Sequence, residues 1–293
     1  MLTVVQRSGG MRGKPLEEVR GYSSRLPWAW DGLCFGVPLN DASLGAARDL
    51  VANAAPAVNG TALGWSKDNR GNVAAHLDAA TGIDYAFNPA HNAPSTAITA
   101  YVRMRRASTG LGGVGIFCKL YDSSVQPIVS WAIQHSDAAD NTLAANLPET
   151  SDGMVQNYWE APGYVLPTTV WVSVFLRWRS GEVPVLDILG ERGETLTSAP
   201  APWALGGSLI YSSGQPMRLN AMTSNSDDHY DADYSQAMLW DRKLTNTEVQ
   251  ALVEDPYGWY SPRRSTVGVS SPYAVVFGGG EMRGAAGGIG GMY

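Results

Sequence analysis

Asp227, Asp228, Asp231 and Asp233 fall within seven residues, around His229 and Tyr230. A hard cation such as Ca2+ collects several carboxylate and carbonyl oxygens, and this run offers the right atoms. It lacks the Asp-x-Asp-x-Asp-Gly order of an EF-hand loop. Two readings stay open: a solvated acidic loop, or a Ca2+ site drawn from these four side chains. No other cofactor is implied. A second constellation is Tyr158, Trp159 and Tyr164, with Asn157, Asp152 and Glu160 close by. Aromatic rings stack on the apolar faces of sugars, while amides and carboxylates bond their hydroxyls. Asn157, Tyr158, Trp159 and Tyr164 are therefore the candidate carbohydrate contacts. The alternative use of the same rings is to cover one end of the fold or an interface between subunits.

Other chemistry lacks its parts. None of His76, His91, His135 and His229 has a second histidine at metal-ligand spacing. There is no Gly-x-Ser-x-Gly elbow and no Gly-x-x-x-x-Gly-Lys-Ser/Thr loop. The sequence offers groups for binding and none arranged for catalysis.

The elements that must position these groups are mostly strands. Period-two alternation runs through Ala97 to Arg106, with Ile98, Ala100, Val102 and Met104 inward and Thr99, Tyr101, Arg103 and Arg105 outward. Thr169 to Arg179 sets Val170, Val172, Val174, Leu176 and Trp178 on one face. Leu33 to Asn40, Trp65 to Asp78, Ile83 to Phe87, Gly113 to Leu120, Val125 to Gln134, Val183 to Leu189 and Pro216 to Met222 also read as strands or hairpins. Asp49 to Gly60 reads as a loop. In Asp233 to Asp241 the alternation sets Tyr234, Gln236, Met238 and Trp240 against Ser235, Ala237 and Leu239. One helix follows. Thr245 and Glu248 form a capping box, Val249, Leu252 and Val253 an apolar stripe, and Pro256 a stop. The pattern predicts an all-β fold, a two-sheet antiparallel jelly-roll sandwich with one short C-terminal α-helix.

The strand, the Trp240-Asp241-Arg242-Lys243-Leu244 corner and the Thr-x-x-Glu helix resemble the closing elements of laminin-G-like domains in the concanavalin A-like lectin superfamily. The run from Asp255 to Arg264 is similar to the laminin-G-like proteins of tailed bacteriophages and prophages. The resemblance covers roughly residues 33–260. It implies a non-enzymatic structural protein of a virion, as a capsid decoration, head-fibre or tail-associated protein. Such a protein would be made in the host cytoplasm and would offer a carbohydrate-binding surface to a host glycan. The implied partners are other virion proteins and further copies of the chain, a trimer by analogy with fibres. A rim Ca2+ is also common in laminin-G domains. The superfamily includes glycosidases with two glutamates flanking an aspartate on one strand, a pair that a retaining mechanism needs about 5 Å apart. Here Val185 and Leu189 flank Asp187, so that reading lacks its nucleophile and acid. Two alternatives remain: a soluble lectin module without assembly role, and a polysaccharide depolymerase.

Length and composition fit one large domain with tails, in a chain of 293 residues. We divide it into an N-terminal arm (1–30), a jelly-roll domain (31–260) and a Gly-rich C-terminal arm (261–293). The arms carry apolar anchors, Trp28 and Trp30 in one and Tyr273, Phe277, Ile289 and Tyr293 in the other, read as assembly contacts. A net charge of −6 argues against nucleic acid as a partner. No apolar run is long enough to span a membrane, and Met1 to Arg20 lacks a signal-peptide pattern. Cys34 and Cys118 lie among apolar neighbours and are expected as buried free thiols, with a bridge between them left open.

Overall fold

The computed structural model describes residues 22–23, 25–39, 47–60, 63–78, 80–107, 115–122, 128–135, 142–148, 157–168, 170–212, 214–221 and 231–262. The first strands are β1 (Tyr22–Ser23), β2 (Leu33–Pro38), β3 (Pro56–Asn59), β4 (Gly64–Lys67), β5 (Val73–Leu77) and β6 (Gly82–Tyr85). Then come β7 (Ala97–Arg106), β8 (Gly115–Asp122), β9 (Ile128–His135), β10 (Thr142–Asn146) and β11 (Tyr158–Val165). The last are β12 (Val172–Arg179), β13 (Val185–Leu189), β14 (Thr195–Pro200), β15 (Met217–Leu219), β16 (Ala232–Trp240), the helix α1 (Asn246–Glu254) and β17 (Ser261–Pro262).

Two antiparallel sheets form a sandwich. One has seven strands in the order β11-β10-β9-β8-β15-β6-β3. The other has eight, β14-β13-β12-β7-β16-β5-β4, with β2 also paired to β16. The core lies between them. Val102, Val174, Leu176, Trp178 and Ile188 of the eight-stranded sheet meet Phe117, Trp131, Ile133, Leu143 and Trp159 of the other in one buried cluster. Buried indoles need an acceptor. Trp178 Nε1 donates to Leu205 O at 3.1 Å and Trp159 Nε1 to Ala199 O at 3.0 Å.

Strand β16 departs from simple alternation. Its register against β7 slips between Tyr234 and Gln236, so Ser235 is an extra residue. The bulge puts Tyr234 in the inner core with Ala237 and Leu239, and leaves Met238 and Trp240 on the outer side. Tyr234 therefore does not share a face with Met238 and Trp240, as unbroken alternation had suggested. Its hydroxyl donates to Asn220 Oδ1 at 2.8 Å.

A third layer covers the outside of the eight-stranded sheet. Val249, Leu252 and Val253 of α1 pack with Tyr101, Phe175, Met238 and Trp240. Three outward residues of β7 are thus buried, Thr99 and Tyr101 fully and Arg103 to 3% exposure, while Arg105 stays partly exposed. The helix starts as expected. Thr245 Oγ1 accepts from Glu248 N at 3.3 Å, and Glu248 Oε2 accepts from Thr245 N at 2.8 Å. At its other end Arg70 donates to the carbonyls of Glu254 at 2.8 Å and Val253 at 3.1 Å. That cation answers the negative end of the helix dipole.

The first and last described segments meet on the same layer. β1 pairs with β17, and Arg25 makes a two-pronged bond to Asp255 at 2.6 and 2.7 Å. Trp30 Nε1 donates to Trp259 O at 2.9 Å, and Trp240 Nε1 to Ala29 O at 2.7 Å. Trp28 and Trp30 are partly buried against their own domain. Tyr273, Phe277, Ile289 and Tyr293 lie outside the described residues. No helix among the described residues is long and apolar enough to cross a membrane. Cys34 and Cys118 are both free and buried, and burial pushes the Cys118 thiol up to about 12.

Candidate binding face

The candidate sugar contacts fall on or beside β11, the edge of the seven-stranded sheet. A strand sends successive side chains to opposite faces, so the four residues do not act together. Trp159 points inward, 4% exposed, against Ala145 across the ladder. It cannot offer a ring to a ligand there. Tyr164 packs half-buried against the same core, and burial near Glu194 raises its phenol to about 12. Tyr158 faces out. Its hydroxyl donates to Glu160 Oε1 at 2.9 Å. Asn157 precedes the strand, half-buried.

Register then extends the face beyond the sequence candidates. Tyr158 stands opposite Asn146, Asn146 opposite Ala132, and Ala132 opposite Cys118. Cys118 stands opposite Arg218, and Arg218 opposite Asp84. One straight row thus crosses six strands. Beside it, Glu160 stands opposite Ala144 and Ala144 opposite Gln134. That this is the outer side follows from β9, where Trp131 and Ile133 enter the core while Ala132 joins a separate cluster with Cys118, Leu120 and Val129. Gln134 shares the side of Ala132, whereas Ser130 is the extra residue of a bulge, where Lys119 pairs with Trp131 and Leu120 with Val129. Ser130 is fully buried and Gln134 is 6% exposed, and neither Ser130 Oγ nor Gln134 Oε1 has a hydrogen-bond partner. Buried polar atoms are normally satisfied, so Gln134 Oε1 is a candidate polar contact on the outer side. Sequence reasoning missed Asn146 and Gln134. The Trp-Ala-Ile-Gln alternation at the end of β9 carried the signal for Gln134.

The acidic run lies elsewhere. Asp227 and Asp228 are outside the described residues. Asp233 sits on the outside of the eight-stranded sheet, buried, and accepts from Arg105 Nε at 2.9 Å and His76 Nδ1 at 3.1 Å. Asp231 is 3.7 Å from His76 Nε2. With a guanidinium already on its carboxylate, this described half of the run does not fit a Ca2+ ion. Arg105 and Arg103 in turn lie over the ring of Trp171, at 5.4 and 4.9 Å from its centre.

His91 is buried with its Nε2 2.9 Å from Asp49 Oδ2, and Asp49 also accepts from the N–H groups of Gly36, Val51 and Ala52. His135 is buried in β9, and His229 is outside the described residues. Asp187 is bound by Arg177 Nε at 2.8 Å and Ser198 Oγ at 2.6 Å.

No protein family profile matches the sequence, and no curated protein does. Solved structures do match. Domain 4 of AbnA, a GH43 extracellular arabinanase from Geobacillus stearothermophilus, was solved in complex with arabinotriose. It superposes with a TM-score of 0.50 at 12% identity, over 75% of this chain and 98% of that one. The binding domain of Paraclostridial Mosquitocidal Protein 1 gives 0.53 at 16% identity, over 78% of this chain and 53% of that one. The receptor binding domain of botulinum neurotoxin mosaic serotype C/D gives 0.51 at 13%, over 76% and 51%. The chain spans about half the length of these two toxin domains. At such identities the likeness establishes the fold, an antiparallel two-sheet β-sandwich that is also used by binding domains.

Proposed function

We propose that this chain is a non-catalytic glycan-binding β-sandwich and serves as a structural, host-attachment component of a tailed-phage particle. The observation that carries the binding half is the outer side of the seven-stranded sheet. There Tyr158, Glu160, Asn146 and Gln134 set a ring and several hydroxyl-bonding groups on one side, with Asn146 and Gln134 nearly buried. A sandwich of the same fold, the arabinanase domain, has been solved with arabinotriose. The absence of catalysis rests on Asp187, whose carboxylate is bound by Arg177 and Ser198 and has no second carboxylate on its own strand. The particle half rests on the resemblance of the corner and helix to phage laminin-G-like proteins, and on the apolar anchors in the C-terminal arm. Host glycan, other virion proteins and further copies of the chain are its partners in this reading, with a trimer as the simplest assembly.

One observation favours a plain lectin module without assembly role. Trp28 and Trp30, first read as contacts to neighbours, pack on their own domain. The deciding experiment has two arms. Glycan binding by the purified chain tests the binding half. Mass spectrometry of purified particles from the source virus or prophage tests the other. Binding without incorporation leaves the lectin module; incorporation without binding leaves a structural protein alone.

A further inference from the structure

Resting on the binding reading above, the charge of the sequence that contains β8 to β11 narrows the ligand, although Asp137, Asp140, Glu149 and Asp152 lie outside the described residues. The chain from Ala107 to Val170 comprises β8 to β11 and the segments that join them. It holds one cation, Lys119, against Asp122, Asp137, Asp140, Glu149, Asp152 and Glu160. The whole protein has a net charge of only −6, so nearly all its excess negative charge belongs to this stretch. Neither cation of the described sheet is free for an anion. Arg218, in the same cross-strand row as Tyr158, has its Nε 3.0 Å from Asp84 Oδ1. Lys119 Nζ donates to Gln215 O and lies 5.3 Å from the centre of the Phe87 ring. Burial also depresses Lys119 to about 8, which reflects how little its surroundings favour charge.

The groups on the outer side of the sheet are of another kind. Asn146 and Gln134, 5% and 6% exposed, carry neutral amides, Tyr158 a hydroxyl and Glu160 a carboxylate. Amides and hydroxyls both donate and accept, as sugar hydroxyls do. A carboxylate brought among them meets Glu160 and, among the described residues of this sheet, no uncommitted cation, and a charge buried without a partner is strongly disfavoured.

We infer that this face takes uncharged sugar chains through their hydroxyls and excludes glycans bearing carboxylates, such as sialosides and uronates. The arginine that would have been the forked partner of a carboxylate is committed to Asp84.

The test uses the full chain against immobilised neutral polysaccharides (arabinan, galactan, β-glucan) and carboxylated ones (polygalacturonate, alginate, a sialylated oligosaccharide), at low and high salt. At least one neutral probe is expected to bind with little salt dependence, and the carboxylated probes about tenfold or more weaker at low salt. Glu160→Lys is expected to raise binding of the carboxylated probes. A carboxylated probe bound as tightly as the best neutral one overturns this inference and leaves the binding reading standing. If no probe binds under any condition, both fall together.

Discussion

The guanidinium of Arg177 holds the carboxylate of Asp187 on the adjacent strand, through Nε at 2.8 Å, while its Nη1 reaches Leu244 O at 3.1 Å and Asn246 Oδ1 at 2.7 Å. The one carboxylate that could suggest a glycosidase thus anchors the start of α1 to the sheet. Removing one partner of a buried pair strands the other charge, so Asp187→Ala is expected to cost about 3 kcal/mol of unfolding free energy by denaturant titration. Wild-type protein is expected to release no reducing ends from polysaccharides. Release that disappears in Asp187→Asn would show the carboxylate to be catalytic.

The helix cap gives a smaller effect. Thr245→Ala removes the acceptor of the Glu248 N–H and the hydroxyl donor to the Glu248 carboxylate, which keeps the Thr245 N–H and Arg242. A loss of about 1 kcal/mol is expected, measured by the same titration.

Lys119 gives a pH-dependent effect of opposite sign. Burial lowers it from 10.5 to about 8. Between those values the unfolded chain binds more protons than the folded one, so this residue makes stability rise with pH across that window. Below it the charged amine disfavours the fold. Lys119→Met is therefore expected to raise the melting temperature at neutral pH, with the gain shrinking at alkaline pH.

Asp68 works at the acid end. Burial alone would raise its carboxyl. Tyr257 at 2.6 Å, the Asn72 N–H at 2.8 Å and Arg103 at 3.1 Å outweigh that and hold it below its usual value of 3.8. A depressed acid contributes stability that is fully present above its unfolded value and is lost as pH falls through the folded one. Asp68→Asn is expected to flatten the acid limb of a melting-temperature profile below about pH 4.

How much of this was legible follows from which elements announce themselves. β7 was readable to the residue, because both its faces alternate and no glycine or proline interrupts it. The helix was readable because the capping box and the apolar stripe coincide. β11 is missing from the strands read in the sequence, because Pro162 and Gly163 sit inside an edge strand, where a missing ladder donor is tolerated. β3, inside the stretch read as loop, is a short edge strand as well. The bulge at Ser235 left no mark in sequence, since Tyr234 is apolar enough for either side. The sequence pointed to Tyr158, and sheet register alone added Asn146 and Gln134, contributed by other strands.

The most direct measurement of the central claim is calorimetric titration with the best-bound neutral glycan of the wild type, Tyr158→Ala, Gln134→Leu and His76→Ala. The first two alter the outer side of the seven-stranded sheet, and the third alters the outside of the other sheet. With folding verified by melting, Tyr158→Ala and Gln134→Leu are expected to weaken binding by about tenfold each, the loss of one stacked ring or one buried hydrogen bond. His76→Ala is expected to leave it unchanged. Affinity that survives both substitutions on the seven-stranded sheet, or that is lost with His76→Ala, would contradict the assignment of the binding face.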